Sequence, residues 1–313
     1  MDLLFVIDPP DSLKAYKDTS VTMMRAAQKR GHAVWVCEQE SLRWMKGSVG
    51  AAAQRISLTD NDEDWYRTHE SETRALKSFG ATLMRKDPPF DLEYVTSTWL
   101  LSAAVREGAR VYNAPDAIRD HNEKLSITEF SKFTVPSVVA RRMSDLQDFI
   151  AEHRDVVLKR LDGMGGHGVF RVRHDDPNRN VIVETVSELG ARTVMAQRYI
   201  PEISQGDKRV LLIDGAPVPH CLARIPKAGD LRGNLAAGAR GVAQPVTKRH
   251  REIAEALGPV LSKRGLLLVG LDVIGDYLTE VNVTSPTCFR EIQDQTGFDV
   301  AGMFLEALEN KAR

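Results

Sequence analysis

Gly270-Leu-Asp-Val-Ile-Gly-Asp-Tyr-Leu-Thr-Glu-Val-Asn-Val-Thr-Ser-Pro286 is the stretch from which the rest of the chain is read. The apolar run Leu266 to Val273 leads into Gly275-Asp276, a turn signal, and then into Tyr277 to Val283, which alternates polar and apolar as a half-buried strand does. Three hard oxygen donors, Asp272, Glu280 and Asn282, fall in this expected hairpin. Glu280 and Asn282 are two apart and share a face. A plain two-residue turn would pair Asp272 with Thr279 and send Glu280 to the other side, so convergence of all three requires a bulge or an odd loop. Two carboxylates and one amide oxygen suit magnesium, which keeps waters and shares its shell with nucleotide phosphates. A solvated hairpin of ordinary surface charge would carry the same letters, and only the surrounding sequence separates the two readings.

The chain has 313 residues, with 42 Lys and Arg against 43 Asp and Glu and a formal net charge of −1. That length supports a sizeable core and two or three subdomains without disulfide staples. The charge balance gives no global field that would recommend nucleic acid or an anionic membrane as partner. Leu3 to Ile7, the apolar start, is too short for a signal or membrane segment, so a soluble, cytoplasmic protein is expected. Cys37, Cys221 and Cys288 lack metal-ligand spacing and read as free thiols.

Leu3 to Ile7 reads as a buried parallel strand, Ser20 to Arg30 as a helix stopped by Gly31, and Ala33 to Cys37 as the next strand. This βαβ unit places a Rossmann-like layer in the first 120 or so residues, without the glycine fingerprint of a dinucleotide binder. Asn61 to Lys77 is polar with a weak helical pattern, Ala81 to Met84 is a strand, Tyr94 to Glu107 a helix, and Ala114 to Lys124 a polar crossing into a new domain. Arg85-Lys-Asp-Pro-Pro-Phe-Asp91 is an extended loop at a strand's carboxyl end, where open α/β sheets bind ligands; Arg85 and Lys86 could hold a substrate carboxylate there, or be solvated bases of a surface turn.

Asp155 to Lys159 and Val169 to Arg173 read as strands around Gly163-Met-Gly-Gly-His-Gly168. The letters spell G-x-G-x-x-G, but a dinucleotide site needs a helix after the glycines and a strand follows here. The better reading is a flap whose backbone N–H groups wrap a polyphosphate, with Lys159 adding a point charge. Val194 to Glu202 is a short strand broken by Pro201, a shape that can offer edge backbone groups to an adenine, although taken alone the stretch reads first as ordinary core plus a turn. Lys208 to Ile213 and Ala216 to Ile225 flank the hairpin signal Asp214-Gly215. Ile225 to Gly241, glycine-rich with Lys227, Arg232 and Arg240, has the length of a functional lid. Residues 249 to 264 form an amphipathic helix with Ile253, Ala254, Leu257, Val260 and Leu261 on one stripe.

A phosphate flap, a metal hairpin, a basic lid and a separate substrate layer are equipment for activating a carboxylate with ATP. Metal and basic groups would offset charge as a phosphoryl group passes to a carboxylate oxygen, and an amine would attack the acyl phosphate. No nucleophilic side chain is needed, in keeping with the lack of a Ser/His/Asp or Cys/His arrangement. The lid would exclude water.

The chain resembles bacterial glutathione synthetase, of the ATP-grasp superfamily. The resemblance is carried by Met84-Arg-Lys-Asp-Pro-Pro-Phe-Asp91, Asn122-Glu-Lys124, Leu161-Asp-Gly-Met-Gly-Gly166, Gly206-Asp-Lys-Arg-Val210, Leu222-Ala-Arg-Ile-Pro226, Arg232-Gly-Asn-Leu-Ala-Ala-Gly238 and Gly270 to Glu291, which span nearly the whole chain. It implies an α/β (α+β) fold: a Rossmann-like pre-ATP-grasp domain over 1–121, then a two-part ATP-grasp domain with a small lid subdomain over 122–195 and a catalytic subdomain over 196–313. It implies ligation of γ-glutamylcysteine to glycine with ATP going to ADP and phosphate, magnesium or manganese as the metal, and a homotetramer. By the same resemblance Lys124, Lys159 and the flap glycines Gly163, Gly165 and Gly166 meet the ATP phosphates, Gln197, Tyr199 and Ile200 receive adenine, and Lys208 lies near the nucleotide. Asp272, Glu280 and Asn282 match its metal positions, Arg209, Arg224 and Arg232 its acyl-phosphate and lid arginines, and Arg85, Lys86, Asp87, Ser285 and Arg290 would hold substrate. The chain departs from the family's pattern at Arg160, where proline is usual, which adds a charge beside the nucleotide, and at Ala239 in the lid. Another ATP-dependent carboxylate-amine ligase, or a non-catalytic ATP-binding module, are the alternatives; the first would change the Arg85 to Asp91 loop, the second would lose metal ligands or lid arginines.

Overall fold

The computed structural model of the chain describes residues 1–230, 232–235 and 238–313. Leu231, Ala236 and Ala237, part of the expected lid, lie outside the described residues. Seven strands form the first sheet: β1 (Asp2–Ile7), β2 (Ala33–Glu38), β3 (Arg43–Met45), β4 (Ser48–Leu58), β5 (Tyr66–Ala75), β6 (Ala81–Met84) and β7 (Val111–Tyr112). β2, β1, β6 and β7 run parallel, and helix α1 (Thr19–Lys29), capped by the Asp18 carboxylate on the Val21 N–H at 2.9 Å, links β1 to β2 as the βαβ reading required. Helix α2 (Leu92–Arg106) lays Tyr94, Leu101 and Ala104 onto one face of this sheet.

The expectation for Asn61 to Lys77 was wrong. Its central part is β5, paired along β4 in a long antiparallel ribbon. Most of its residues are exposed on both faces, so the period of two that marks a strand is absent, and pairing with β4 rather than burial fixes the extended chain. The crossing at 114–124 holds a short helix, α3 (Pro115–Asp120).

The second sheet is antiparallel, in the order β10 (Val169–Arg173), β9 (Asp155–Arg160), β11 (Val194–Arg198), β8 (Ser137–Ala140). Helices α4 (Met143–His153) and α5 (Arg179–Ser187) cover it, closing a core of Leu146, Ile150, Val156, Leu158, Val172 and Val183. Because β11 hydrogen-bonds to β9 and β8, a boundary at 195 would cut a strand; this sheet ends after Arg198.

The third sheet is antiparallel, in the order β15 (Arg240–Pro245), β14 (His220–Ile225), β12 (Asp207–Ile213), β16 (Leu268–Ile274), β17 (Tyr277–Asn282), with the short β13 (Ala216–Pro217) on β12. Helix α6 (Lys248–Lys263) buries Ile253, Ala254, Leu257 and Leu261 against one face; Val260, expected on that stripe, is exposed at its margin. Helices α7 (Phe289–Thr296) and α8 (Val300–Ala312) close the other face. Phe289, Phe304 and Leu305 share one core with Leu211 and Leu222 of this sheet, with Phe5 and Val36 of the first and with Met23 of α1, so the two ends of the chain bury apolar surface together. That shared core sets the first sheet's loops against the third sheet's cavity. Among the described residues no helix is long and apolar enough to cross a membrane.

Candidate active site

Of the two ways to bring Asp272, Glu280 and Asn282 together, a bulge or an odd loop, the hairpin uses the bulge. Ile274 lies opposite Tyr277 and Val273 opposite Leu278; the register then shifts, so Asp272 faces Glu280 and Gly270 faces Asn282. Thr279 is the extra residue, and its hydroxyl donates to the Asp272 carbonyl at 3.1 Å.

Strand β12 places Arg209 directly across from Asp272, and β14 places Arg224 across from Asp207. Arg209 Nε meets Asp272 Oδ1 at 2.6 Å, Arg224 Nη2 meets Asp272 Oδ2 at 2.8 Å, and the same Nη2 meets Asp207 Oδ2 at 2.6 Å. Four charges of alternating sign thus form one buried row. Burial alone would push Asp272 up, but Arg209 and Arg224 outweigh it and hold its carboxyl below the usual range. Burial pushes Asp207 up to about 6, with Arg224 only partly offsetting it. Asp207 Oδ1 and Arg224 Nε have no hydrogen-bond partner among the described residues, although both are buried.

Glu280 accepts from Lys124 Nζ at 2.8 Å, and the same ammonium donates to the Gly163 carbonyl, so one lysine joins the hairpin to the glycine flap. Burial disfavours the charge on Lys124, but Glu280 more than restores it; on Lys159 burial prevails and lowers the pKa despite Glu280. The flap connects antiparallel β9 and β10, so a strand follows the glycines, as read. At Gly166, φ is +80° and a Cβ would lie 2.9 Å from Asn234 Oδ1 and 3.0 Å from Arg232 Cδ, so flap and lid touch through a residue that must be glycine. Gln197, Tyr199 and Ile200 follow along β11 and its exit; the Arg171 guanidinium, held by Asp155 at 2.6 Å, stacks 3.6 Å from the Tyr199 ring centre.

These groups line one cavity of about 500 Å³, together with Asp87, Ser285, Arg232 and the three flap glycines. Four expected residues do not line it. Arg85 is buried between the Ser20 hydroxyl (3.1 Å) and the Pro286 carbonyl (2.9 Å), and Lys86 pairs with Asp8 at 2.8 Å. Lys208 donates to the Gln205 and Gly206 carbonyls, because successive strand residues face opposite sides and Arg209 takes the cavity side. Arg290, on the first turn of α7, pairs with Asp294 (2.8 Å) and Asp62 (3.4 Å). Arg160 likewise turns from the cleft to Asp162 and Glu188, so it adds no charge inside the cavity.

Among the cavity residues passed over in the sequence are two buried carboxylates. Glu123 takes the Val283 N–H (2.9 Å), the Thr284 N–H (3.0 Å) and the Thr284 hydroxyl (2.8 Å) on a single oxygen, anchoring the chain where it leaves β17; burial and Glu280 push its pKa up. Its adjacency to Lys124 was the available signal. Asp207 had none, since its role exists only through Arg224. Cys288 is buried and burial pushes its thiol up to about 11, as suits an inert thiol.

The oxygen set fits a hard divalent cation. Asp272 and Glu280 are cross-strand neighbours, and Asn282 uses its amide nitrogen on the Gly270 carbonyl at 3.1 Å, leaving the amide oxygen as the donor. The carboxylate oxygens are held by Lys124, Arg209 and Arg224, cations on the same lone pairs a metal would take.

A glycine flap on one antiparallel sheet, facing oxygen ligands on a second across a shared cleft, is the arrangement of an ATP-grasp enzyme. The solved structure of D-cycloserine synthetase DcsG matches it with a TM-score of 0.71 at 16% identity, over 99% of this chain and 100% of that one. The ATP-grasp ligase PsnB with precursor peptide PsnA2 and AMPPNP matches at 0.62 and 18% identity, over 99% and 98%. At such identities the likeness is of fold. The chain belongs to the prokaryotic glutathione synthetase family: residues 1–119 match its N-terminal domain and 123–297 its ATP-grasp domain. The glutathione synthetase of Ralstonia nicotianae is 58% identical, covering 100% of this chain and 96% of its own length, and that of Pseudomonas aeruginosa is 50% identical, covering 97% and 96%. The protein is an ATP-dependent ligase of this family.

Proposed function

We propose that the protein joins γ-L-glutamyl-L-cysteine to glycine, forming glutathione, ADP and phosphate. The observation that carries the chemistry is the bulged hairpin, which sets Asp272, Glu280 and Asn282 on one cavity wall beside Arg209, Arg224, Lys124 and Lys159. The cysteinyl carboxylate attacks the γ-phosphorus, the bond to the β-bridging oxygen breaks, and ADP leaves. The glycine amine then attacks the acyl carbonyl, expels phosphate and gives up a proton. Lys124 and Lys159 bind the polyphosphate beneath the flap, and Gln197, Tyr199 and Ile200 receive the base. Arg209 and Arg224 face the charge that develops on the transferred group, and Arg232 closes it from the lid. Magnesium, or manganese, on Asp272, Glu280 and Asn282 would supply Lewis-acid neutralisation of the phosphates. Asp87 and Ser285, at the cavity edge, contact the dipeptide or glycine. Arg85 supports this edge from behind, since Ser285 Oγ donates to its carbonyl at 3.2 Å.

The N-terminal layer (1–121) supplies substrate contacts, and the two ATP-grasp sheets, divided after Arg198, clasp the nucleotide. The family resemblance supports a cytoplasmic homo-oligomer, a tetramer in the simplest case. The test is ADP release with ATP, magnesium, γ-glutamylcysteine and glycine, omitting each in turn, with the product identified by mass. Glutathione and ADP only in the complete mixture support the reading; ADP with a different amine acceptor would move it to a sister ligase.

A further inference from the structure

The glycine flap is braced from outside the cavity by a closed ring of four charges. Arg160, the last residue of β9, runs its stem across both ends of the flap: a Cβ on Gly163 would lie 3.7 Å from Arg160 Cβ, and one on Gly168, where φ is +72°, would lie 3.2 Å from Arg160 Cδ. Its head forks onto Asp162, with Nε on Oδ1 at 3.0 Å and Nη2 on Oδ2 at 2.9 Å, and its Nη1 meets Glu188 Oε1 at 3.0 Å. Arg192 closes the circuit, with Nη1 on Asp162 Oδ2 at 3.0 Å and Nε on Glu188 Oε1 at 2.7 Å. Each carboxylate bridges both guanidiniums, and the signs alternate all the way round. The Arg160 guanidinium holds the Asp162 carboxyl below its usual range and Arg192 does the same for Glu188, so the ring is fully charged at neutral pH.

Two corners of the ring belong to the scaffold. Glu188 ends α5, whose Val183 and Val186 sit in the core with Val156 and Leu158 of β9, and the Arg192 N–H donates to the Ser187 carbonyl at 2.8 Å just before β11. Asp162 belongs to the flap: it precedes Gly163, whose carbonyl takes the Lys124 ammonium that also meets Glu280 at 2.8 Å. The ring therefore ties flap to scaffold and, through one residue, to a cavity cation, although none of its four members lines the cavity. An isolated exposed ion pair does little, because ordering two long side chains offsets their attraction. In a closed ring each side chain ordered by one contact serves a second.

We propose that Arg160, Asp162, Glu188 and Arg192 are positioning residues for the nucleotide, holding the flap in the shape that wraps the polyphosphate before ATP arrives. ATP then meets a preformed cradle and orders less of the chain on binding. The proposal rests on the reading of the cleft as an ATP site. It acts on ATP affinity and leaves the transfer step to the groups inside the cavity.

Steady-state kinetics and amide hydrogen exchange of the intact chain test it. Arg160→Gln should raise the KM for ATP roughly three- to tenfold with kcat within about twofold, and should speed exchange over 160–168 in the nucleotide-free chain at short labelling times. The double variant Glu188→Arg with Arg192→Glu keeps an ion pair between those two positions but sets like charges against Arg160 and Asp162. It should match Arg160→Gln if the four act as a ring, and it carries the same two readings if Arg160→Gln fails to fold. Arg55→Gln, which breaks a solitary exposed pair with Glu70, should change neither reading. A KM in Arg160→Gln no higher than in Arg55→Gln, unchanged flap exchange, or a double variant that behaves like the unchanged protein would overturn the proposal. An unmodified chain that bound no ATP would overturn the reading of the cleft instead, and flap exchange would still decide for or against the ring.

Discussion

Asp272→Asn should cost stability as well as activity, and Glu280→Gln activity almost alone. Asp272 is the shared partner of Arg209 and Arg224; these three side chains are at most 7% exposed, so water cannot take the place of a missing carboxylate. Removing one member of such a set leaves buried charge uncompensated, at about 3–5 kcal/mol. Arg224 keeps Asp207, which argues for the lower end, about 3 kcal/mol. With a melting entropy of about 2.1 cal/mol/K per residue, the chain should melt roughly 5 °C lower. The Glu280–Lys124 pair is 21% and 9% exposed and nearer to solvent, so Glu280→Gln should cost about 1 kcal/mol, a degree or two. Both variants should lose ADP release at ordinary magnesium concentrations. The assay is thermal melting in metal- and nucleotide-free buffer at pH 7.5, alongside ADP release. Two variants melting within a degree of each other, or Asp272→Asn melting at or above the unchanged protein, would refute the account of a buried charge row.

Three further outcomes follow from the same cleft. Asp207 is raised from 3.8 to about 6 in the fold, so its favourable contribution is complete below about pH 4 and is lost as pH rises through about 6; the stability of the unchanged protein relative to Asp207→Asn should therefore be highest near pH 4 and fall by at most about 3 kcal/mol by pH 7.5, and a relative stability that rises with pH would contradict it. Gly166→Ala, with φ +80° and the lid within 3.0 Å, should raise the KM for ATP well beyond Gly165→Ala, which has φ +62° but open space, since both carry about 1–2 kcal/mol of backbone strain and only the first also displaces the lid; equal kinetics would separate flap from lid. Lys159→Met should melt no lower than the unchanged protein, because burial already disfavours its charge, yet bind ATP at least about tenfold more weakly, as calorimetric titration would measure.

Much of the site was legible because its parts are local. The hairpin showed in alternation, a turn dipeptide and three oxygen donors, and the period of a strand was enough to require a bulge or an odd loop if all three were to converge; the structure has the bulge. The flap was legible from glycines between two strands, and α1, β1, β2 and β6 from their apolar periods. Where burial imposes no period the reading failed. β5 is wet on both faces and looked helical, and Val260 met the spacing of an inner stripe yet lies at its exposed margin.

What the sequence by itself determined is most of the inventory: the elements whose period burial imposes, the oxygen donors and glycines that line the cleft, and the family to which the chain belongs. Tertiary structure alone decided which cation meets which anion. Asp207, Arg209, Arg224 and Asp272 come from three strands, and their row depends on β12 lying between β14 and β16. It also decided that Lys208 and Arg85 face away from the cavity and that Glu123 anchors the end of β17. The physical reason is range: helix and strand periods are set by neighbours a few residues apart, whereas the partner of a buried charge is chosen by sheet order and by the cost of leaving any such charge alone.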